Sequence, residues 1–184
     1  MKKILAFNGS PRIEGNTVAV IDKILDGART GDVKIEKVHL NAIKMDGCQA
    51  LEVCRSTGVC AHDDSFSPYY KKINEADCLI FVSPLYMSRI TGQMKCFIDR
   101  LYPYIDDNFN SRMKKGKKAV LALTWAASGP GYGNSEVDFW ATFLSTHMEV
   151  VAKIGLAGIS GAGDFLRNSA AVEQAYEAGV KLVE

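Results

Sequence analysis

Apolar and polar positions follow one another along this chain in two rhythms. Residues 3–8 form a short continuous apolar run, as expected for a strand buried on both faces. Residues 16–29 then carry Val18, Ile21, Leu25 and Ala28 at helical spacing. Val33 and Ile35 alternate with Lys34 and Glu36, which predicts a strand over 33–40 lying nearer a sheet edge. Three more strands are predicted over 78–82, 118–124 and 150–159, and four more helices over 67–75, 92–104, 135–149 and 169–183. Met94, Phe97, Ile98 and Leu101 line one face of the second of these helices, and Val137, Trp140, Phe143 and Leu144 one face of the third. Ser67 followed by Pro68 reads as an N-cap with proline at the first helical position. Residues 41–66, polar and rich in cysteine and glycine, show neither rhythm.

Five strands alternating with five helices imply a parallel sheet covered on both faces, an α/β three-layer sandwich. The commonest small arrangement of this kind has strand order 2-1-3-4-5, with its ligand site beyond the carboxyl ends of the central strands. A chain of 184 residues suits a single such domain. The residues after strands one, three and four therefore carry the functional question.

After the first strand come Asn8, Gly9, Ser10, Pro11 and Arg12, and then Gly15, Asn16 and Thr17 opening a helix. Unpaired N–H groups at a helix start suit a phosphate. Ser10, Asn16 and Thr17 add hydrogen-bonding side chains, Arg12 adds charge, and Gly9 and Gly15 let the backbone approach an anion. A Walker A loop needs its glycines one residue closer and a lysine where Asn16 stands. A dinucleotide fingerprint needs G-x-G-x-x-G and an acidic residue after strand two, neither of which is present. A receiver domain wants acidic residues where Asn8 and Ser83-Pro84 stand. A loop lined by hydroxyls and amides remains, suited to a monophosphate such as that of FMN.

The run G-S-P-R-x-x-G-N-T at positions 9–17 resembles the phosphate-binding signature of the NADPH-dependent FMN reductase family, which includes the iron–sulfur flavoproteins and has a flavodoxin-like fold. S-P-x-Y at 83–86, followed by K-x-x-I-D-R at 95–100, is similar to that family's flavin-ring loop and the helix after it. The resemblance implies an FMN phosphate on Ser10, Arg12, Asn16 and Thr17, and a flavin ring against Pro84, Leu85, Tyr86 and Met87. The third loop would contribute Thr124, Trp125 and Ala126, with Trp125 and Tyr132 bordering the ring. It further implies an NAD(P)H-dependent oxidoreductase that passes electrons through flavin to a small-molecule or protein acceptor, working as a homodimer or homotetramer. The flavin supplies the reactive atoms, so no side chain is expected as nucleophile or general base. The rival readings are an electron carrier fed by a protein donor such as ferredoxin, and a regulatory module with an empty site.

Composition narrows the partners. Lys plus Arg number 22 against 21 Asp plus Glu, a balance that gives no global field for nucleic acid or an anionic membrane. No run approaches the roughly 18 apolar residues of a membrane helix. The N-terminal apolar run stops at Asn8, too short for a signal peptide, so the expected compartment is the cytoplasm. Five cysteines, an odd count, argue against a disulfide framework. Cys78 and Cys96 read as small buried hydrophobes. The iron–sulfur flavoproteins resemble C-x2-C-x2-C-x5-C near positions 48–60, but Leu51 stands at the second position here. Only Cys48, Cys54 and Cys60 remain, so a cluster, which usually takes four thiolates, is not expected, and no metal ligands are assigned. Asp99 and Arg100 are expected in helix packing or subunit contact. His62, Asp63 and Asp64 read as loop residues, and His39 and His147 as structural or exposed. Arg112, Lys114, Lys115, Lys117 and Lys118 read as a solvated basic loop.

Overall fold

The computed structural model describes residues 1–129 and 131–184, with Tyr132 described by its backbone alone. Its strands are β1 (Lys2–Asn8), β2 (Val33–His39), β3 (Cys78–Tyr86), β4 (Arg89–Ile90), β5 (Lys118–Thr124) and β6 (Glu149–Leu156). Its α-helices are α1 (Asn16–Ala28), α2 (Val53–Thr57), α3 (Ser67–Glu75), α4 (Gly92–Asp99), α5 (Gly131–Ser145), α6 (Asp164–Arg167) and α7 (Ser169–Val183). The five long strands are parallel in the order β2-β1-β3-β5-β6, which is the expected 2-1-3-4-5 arrangement counted over long strands. The short β4 is an addition. It folds back on the end of β3, pairing Leu85 with Ile90 and Tyr86 with Arg89.

Side-chain alternation along β1 sends successive residues into two cores. Ile4 and Ala6 pack with Val20, Ile24 and Leu25 of α1 and Ala175, Ala178 and Leu182 of α7. Leu5 and Phe7 pack with Phe66, Phe81, Phe97 and Trp140 on the other face. There Phe7 and Phe97 stack with ring centroids 4.2 Å apart. The continuous apolar strands seen in the sequence are thus buried on both sides, as a doubly covered parallel sheet requires.

Several boundaries differ from the expectation; β3, for one, runs on to Tyr86 rather than ending at 82. The helix predicted over 92–104 ends at Asp99 and gives way to a 3-10 turn at Tyr102–Tyr104, because Pro103 has no N–H to donate into an α-helical ladder. Ser67 is the first residue of α3 and not its cap, which is Phe66. Its hydroxyl instead accepts the Asp64 N–H at 3.0 Å. Helix α5 begins at Gly131 rather than 135, and β6 stops at Leu156, where the chain turns over the sheet edge. The short helices α2 and α6 carry too few residues to show a periodicity.

Candidate functional site

A cavity of about 310 Å³ opens at the carboxyl ends of β1, β3, β5 and β6. Ser10, Arg12, Asn16, Thr17, Pro84, Leu85, Tyr86, Thr124, Trp125 and Ala126 all line it, joined by Gly15, Ile159 and Ser160. Three loops far apart in sequence are therefore gathered at one place, as the strand order demands. Met87 is not among the lining residues. It stands 97% exposed at the tip of the β3–β4 turn, where Met87 and Ser88 both take positive φ (49° and 67°) as a two-residue hairpin turn requires.

The first loop is held from beneath. Asn8 Oδ1 accepts the Ser10 N–H at 3.0 Å, and Asn8 Nδ2 lies 3.0 Å from His39 Nδ1, which acts as acceptor. Ser10 Oγ in turn accepts the Arg12 N–H at 3.1 Å. Gly15, at φ 155° and ψ −175°, enters α1 in a conformation close to glycine-only. No side chain caps α1, so its first N–H groups remain available at the cavity. Among the described residues, neither the Arg12 guanidinium nor the Thr17 hydroxyl has a hydrogen-bond partner in the chain. Asn16 differs: its Nδ2 donates to the Gly161 carbonyl at 2.8 Å and its Oδ1 accepts the Phe165 N–H at 3.2 Å.

The second loop is tied to the first through Thr91, whose hydroxyl donates to the Gly9 carbonyl at 2.6 Å and accepts the Met94 N–H at 3.2 Å, capping α4. Buried Glu136 of α5 fixes the hairpin from the other side. It accepts from Arg89 Nη1 at 3.0 Å, Trp140 Nε1 at 2.8 Å and the Ile90 N–H at 3.3 Å. Tyr86 keeps 45% of its surface exposed at the cavity. In the third loop Trp125 is 3% exposed and serves both as core and as cavity wall. Its ring lies so close to Gly133 that a Cβ there would sit 2.3 Å away, which only glycine permits. Pro130 and the Tyr132 side chain lie outside the described residues.

The cysteine segment packs away from this cavity. Cys48 is exposed, Cys54 buried and Cys60 half-buried. Burial, and then the nearby Cys60 and Cys48, push the Cys54 thiol above its ordinary pKa. Leu51 is 52% exposed and sits between Ala50 and Glu52, both at positive φ. Arg100 anchors the segment. Only 1% exposed, it donates to Asp64 Oδ2 at 2.6 Å, Tyr70 Oη at 3.1 Å, and the carbonyls of Asp46 at 3.1 Å and His62 at 3.2 Å. Asp64 is thus the partner of Arg100 rather than a mere loop residue. Ligand-type atoms of Asp46, His62 and Asp64 lie within 4.8 Å of one another, but both Asp64 oxygens already accept from Arg100.

The basic run starts β5, at the sheet end opposite the cavity. It is not uniformly solvated. Lys117 is 2% exposed, donates to the carbonyls of Ile73 and Ala76 at the end of α3, and has its pKa pushed down to about 8 by burial. The His147 ring packs on Phe143, and burial lowers its pKa. Sequence reasoning missed Ile159 and Ser160 as cavity residues. The signal was present: Ile159 ends the last predicted strand and the run S-G-A-G-D follows directly on it.

Among the described residues no helix is long and apolar enough to cross a membrane. The NADPH-dependent FMN reductase family matches the chain over residues 2–159. An iron–sulfur flavoprotein of Archaeoglobus fulgidus is 31% identical over 143 residues, covering 75% of this chain and 63% of its own, so less than two thirds of that relative is spanned. An iron–sulfur flavoprotein of Methanocaldococcus jannaschii is 28% identical over 99% of this chain and 96% of its own. The solved NAD(P)H:quinone oxidoreductase from Methanothermobacter marburgensis shares the fold, with a TM-score of 0.78, 20% identity and 98% of each chain covered. With this sheet order and this match over most of its length, the chain belongs to the NADPH-dependent FMN reductase family of flavodoxin-like oxidoreductases.

Proposed function

We propose that the chain is one FMN-binding domain that takes electrons from NAD(P)H and delivers them to a small-molecule or protein acceptor. The observation that carries this reading is the donor set of the cavity at the carboxyl ends of the strands. One end offers a free arginine, free hydroxyls and uncapped helix N–H groups, and the other offers Tyr86, Trp125 and the Pro84–Leu85 backbone. A phosphate suits the first end and a flat, partly apolar ring the second. When bound, FMN supplies the hydride- and electron-accepting chemistry. Arg12, Thr17 and Ser10 would neutralise and orient the phosphate. Pro84 and Leu85 would present backbone to the ring edge, Tyr86 would cover a ring face, and Trp125 would close the rear wall against water. No side chain is needed as nucleophile or general base. An anaerobic visible spectrum, followed by mixing with NADPH or NADH, tests the reading. A two-band flavin spectrum bleached by nicotinamide is expected, and a colourless protein that takes up no FMN would refute it.

The names of the relatives favour a second reading, an electron carrier of the iron–sulfur flavoprotein type. The thiols here do not fit a four-thiolate cluster, since Leu51 stands at the second of the four cysteine positions. We infer that the segment works without one. Iron and acid-labile sulfide should stay far below stoichiometric after anaerobic reconstitution of the native chain and rise to stoichiometric in Leu51→Cys. Equal loading of both would sink the inference and move the electron carrier to first place. The reading also includes a cytoplasmic homo-oligomer. Exposed Phe139 and an apolar groove between α4 and α5 lend support to the assembly, and sedimentation at a single monomer mass would count against it.

A further inference from the structure

The loop after β6 is built as a fourth wall of the cavity, and we infer that Ser160 is a ligand of the anionic group bound there, with Asn16 as the residue that positions it. The inference rests on reading the cavity as an FMN site and names a specificity-determining contact within it. Ser160 is exposed, lines the cavity, and among the described residues its hydroxyl has no partner in the chain. Its backbone, by contrast, is fixed: the Ser160 N–H donates to Asp164 Oδ2 at 2.9 Å. A hydroxyl left free on an immobilised backbone at a cavity wall is a preorganised donor.

The loop is pinned on both sides. The Gly158 N–H donates to the Ala127 carbonyl and the Ile159 N–H to the Trp125 carbonyl, each at 2.9 Å. On the far side the Asn16 amide clasps it, donating to the Gly161 carbonyl and accepting from the Phe165 N–H. Phe165 is itself fully buried. Both heavy atoms of the Asn16 amide are therefore engaged in holding the loop, which separates its role from that of Arg12 and Thr17. Asp164 does not spoil the site for an anion, because Arg167 pairs with its other oxygen at 2.5 Å. Ser160 thus joins Ser10, Arg12 and Thr17 as an anion-facing donor, and Asn16 locks the loop after β6 to the start of α1.

The test titrates the full chain, stripped of bound flavin, with FMN and with riboflavin, which lacks the phosphate. Ser160→Ala should weaken FMN binding about tenfold, the loss of one hydrogen bond to a charged group, and leave riboflavin unchanged. Ser160→Thr, which keeps the hydroxyl, should restore FMN affinity. Asn16→Ala should also lower FMN affinity selectively, and adding Ser160→Ala to it should cost little more, since the two act through one loop. Inorganic phosphate should compete with FMN, less well in Ser160→Ala. Equal weakening of FMN and riboflavin, or no change for either, would overturn the assignment of Ser160. Fully additive effects of the two substitutions would overturn the positioning role of Asn16. A native chain that binds FMN no better than riboflavin would instead refute the phosphate reading of the whole cavity.

Discussion

Replacing Arg100 by methionine is expected to lower stability by about 3–5 kcal/mol, the usual cost of leaving one member of a buried ion pair unpaired. The guanidinium is 1% exposed and the Asp64 side chain 10% exposed. Methionine fills much of the space and packs against Phe66, over whose ring the guanidinium now lies at 5.4 Å. It cannot satisfy Asp64 or the carbonyls of Asp46 and His62. Asp64→Asn should be comparably harmful, because arginine cannot shed its proton. The double variant should recover part of the loss. Acid provides an independent signature. Burial pushes the Asp64 carboxyl up, but Arg100 and the backbone N–H groups of Asp46 and Phe66 outweigh it and hold its pKa below the ordinary value. Stability from this pair is therefore present above the ordinary carboxylate range and is lost as pH falls through the lowered folded value. Without Arg100 only the backbone N–H groups of Asp46 and Phe66 oppose burial, so the charged acid is held less firmly. The gap between the urea midpoints of native chain and variant should narrow as pH falls below about pH 4. A gap that stays constant would show that the pair contributes no such linkage. Arg100 does not line the cavity, so the folded variant should still bind FMN.

Gly179→Ala should cost about 3 kcal/mol, the upper end for forcing one methyl group into a packed contact. Helices α1 and α7 touch backbone to backbone. A Cβ at Gly179 would sit 1.8 Å from the Ile24 carbonyl oxygen, and one at Gly27 would sit 1.9 Å from that of Tyr176. A side chain could rotate away, but main-chain carbonyls within helices cannot, so the two helices must separate. The displacement would reach the site, because α1 carries Asn16 and Thr17 at its start. Thermal unfolding should show a lowered midpoint, and FMN titration a weakened affinity. Gly92→Ala is the control. Nothing lies within 4 Å of a Cβ there, and it should shift stability by less than about 0.5 kcal/mol. If both variants behave alike, the close helix contact is not what stabilises this face.

The relation of sequence to structure differs from element to element. The long strands and helices were legible because each buries a face, and burial imposes a period of 2 or 3.6 on the residues themselves. The strand order followed from the alternation, since parallel strands need crossover helices. The first cavity loop was legible because its chemistry is local: glycines, hydroxyls and an arginine lie within ten residues of a strand end. Strand β4 was not legible. Two residues carry no period, and Met87 and Ser88 adopt positive φ without the glycine that would have announced the turn. Nor did the sequence say that Asn16 would clasp the last loop across |i−j| separations of 145 and 149 residues.

Residue type alone determined that this chain folds as a doubly covered parallel sheet with an anion-suited loop after its first strand, because helix starts and strand runs are set by neighbours in the chain. Only the tertiary structure decided which polar groups remain free. Arg100 and Asp64, read separately as a helix residue and a loop residue, satisfy each other inside the protein. Thr17, at the start of α1, and Ser160, on the loop after β6, keep their hydroxyls unpaired in one cavity. The reason is physical: a polar side chain acts through whatever partner the fold brings within about 3 Å, and that partner is seldom its neighbour in sequence.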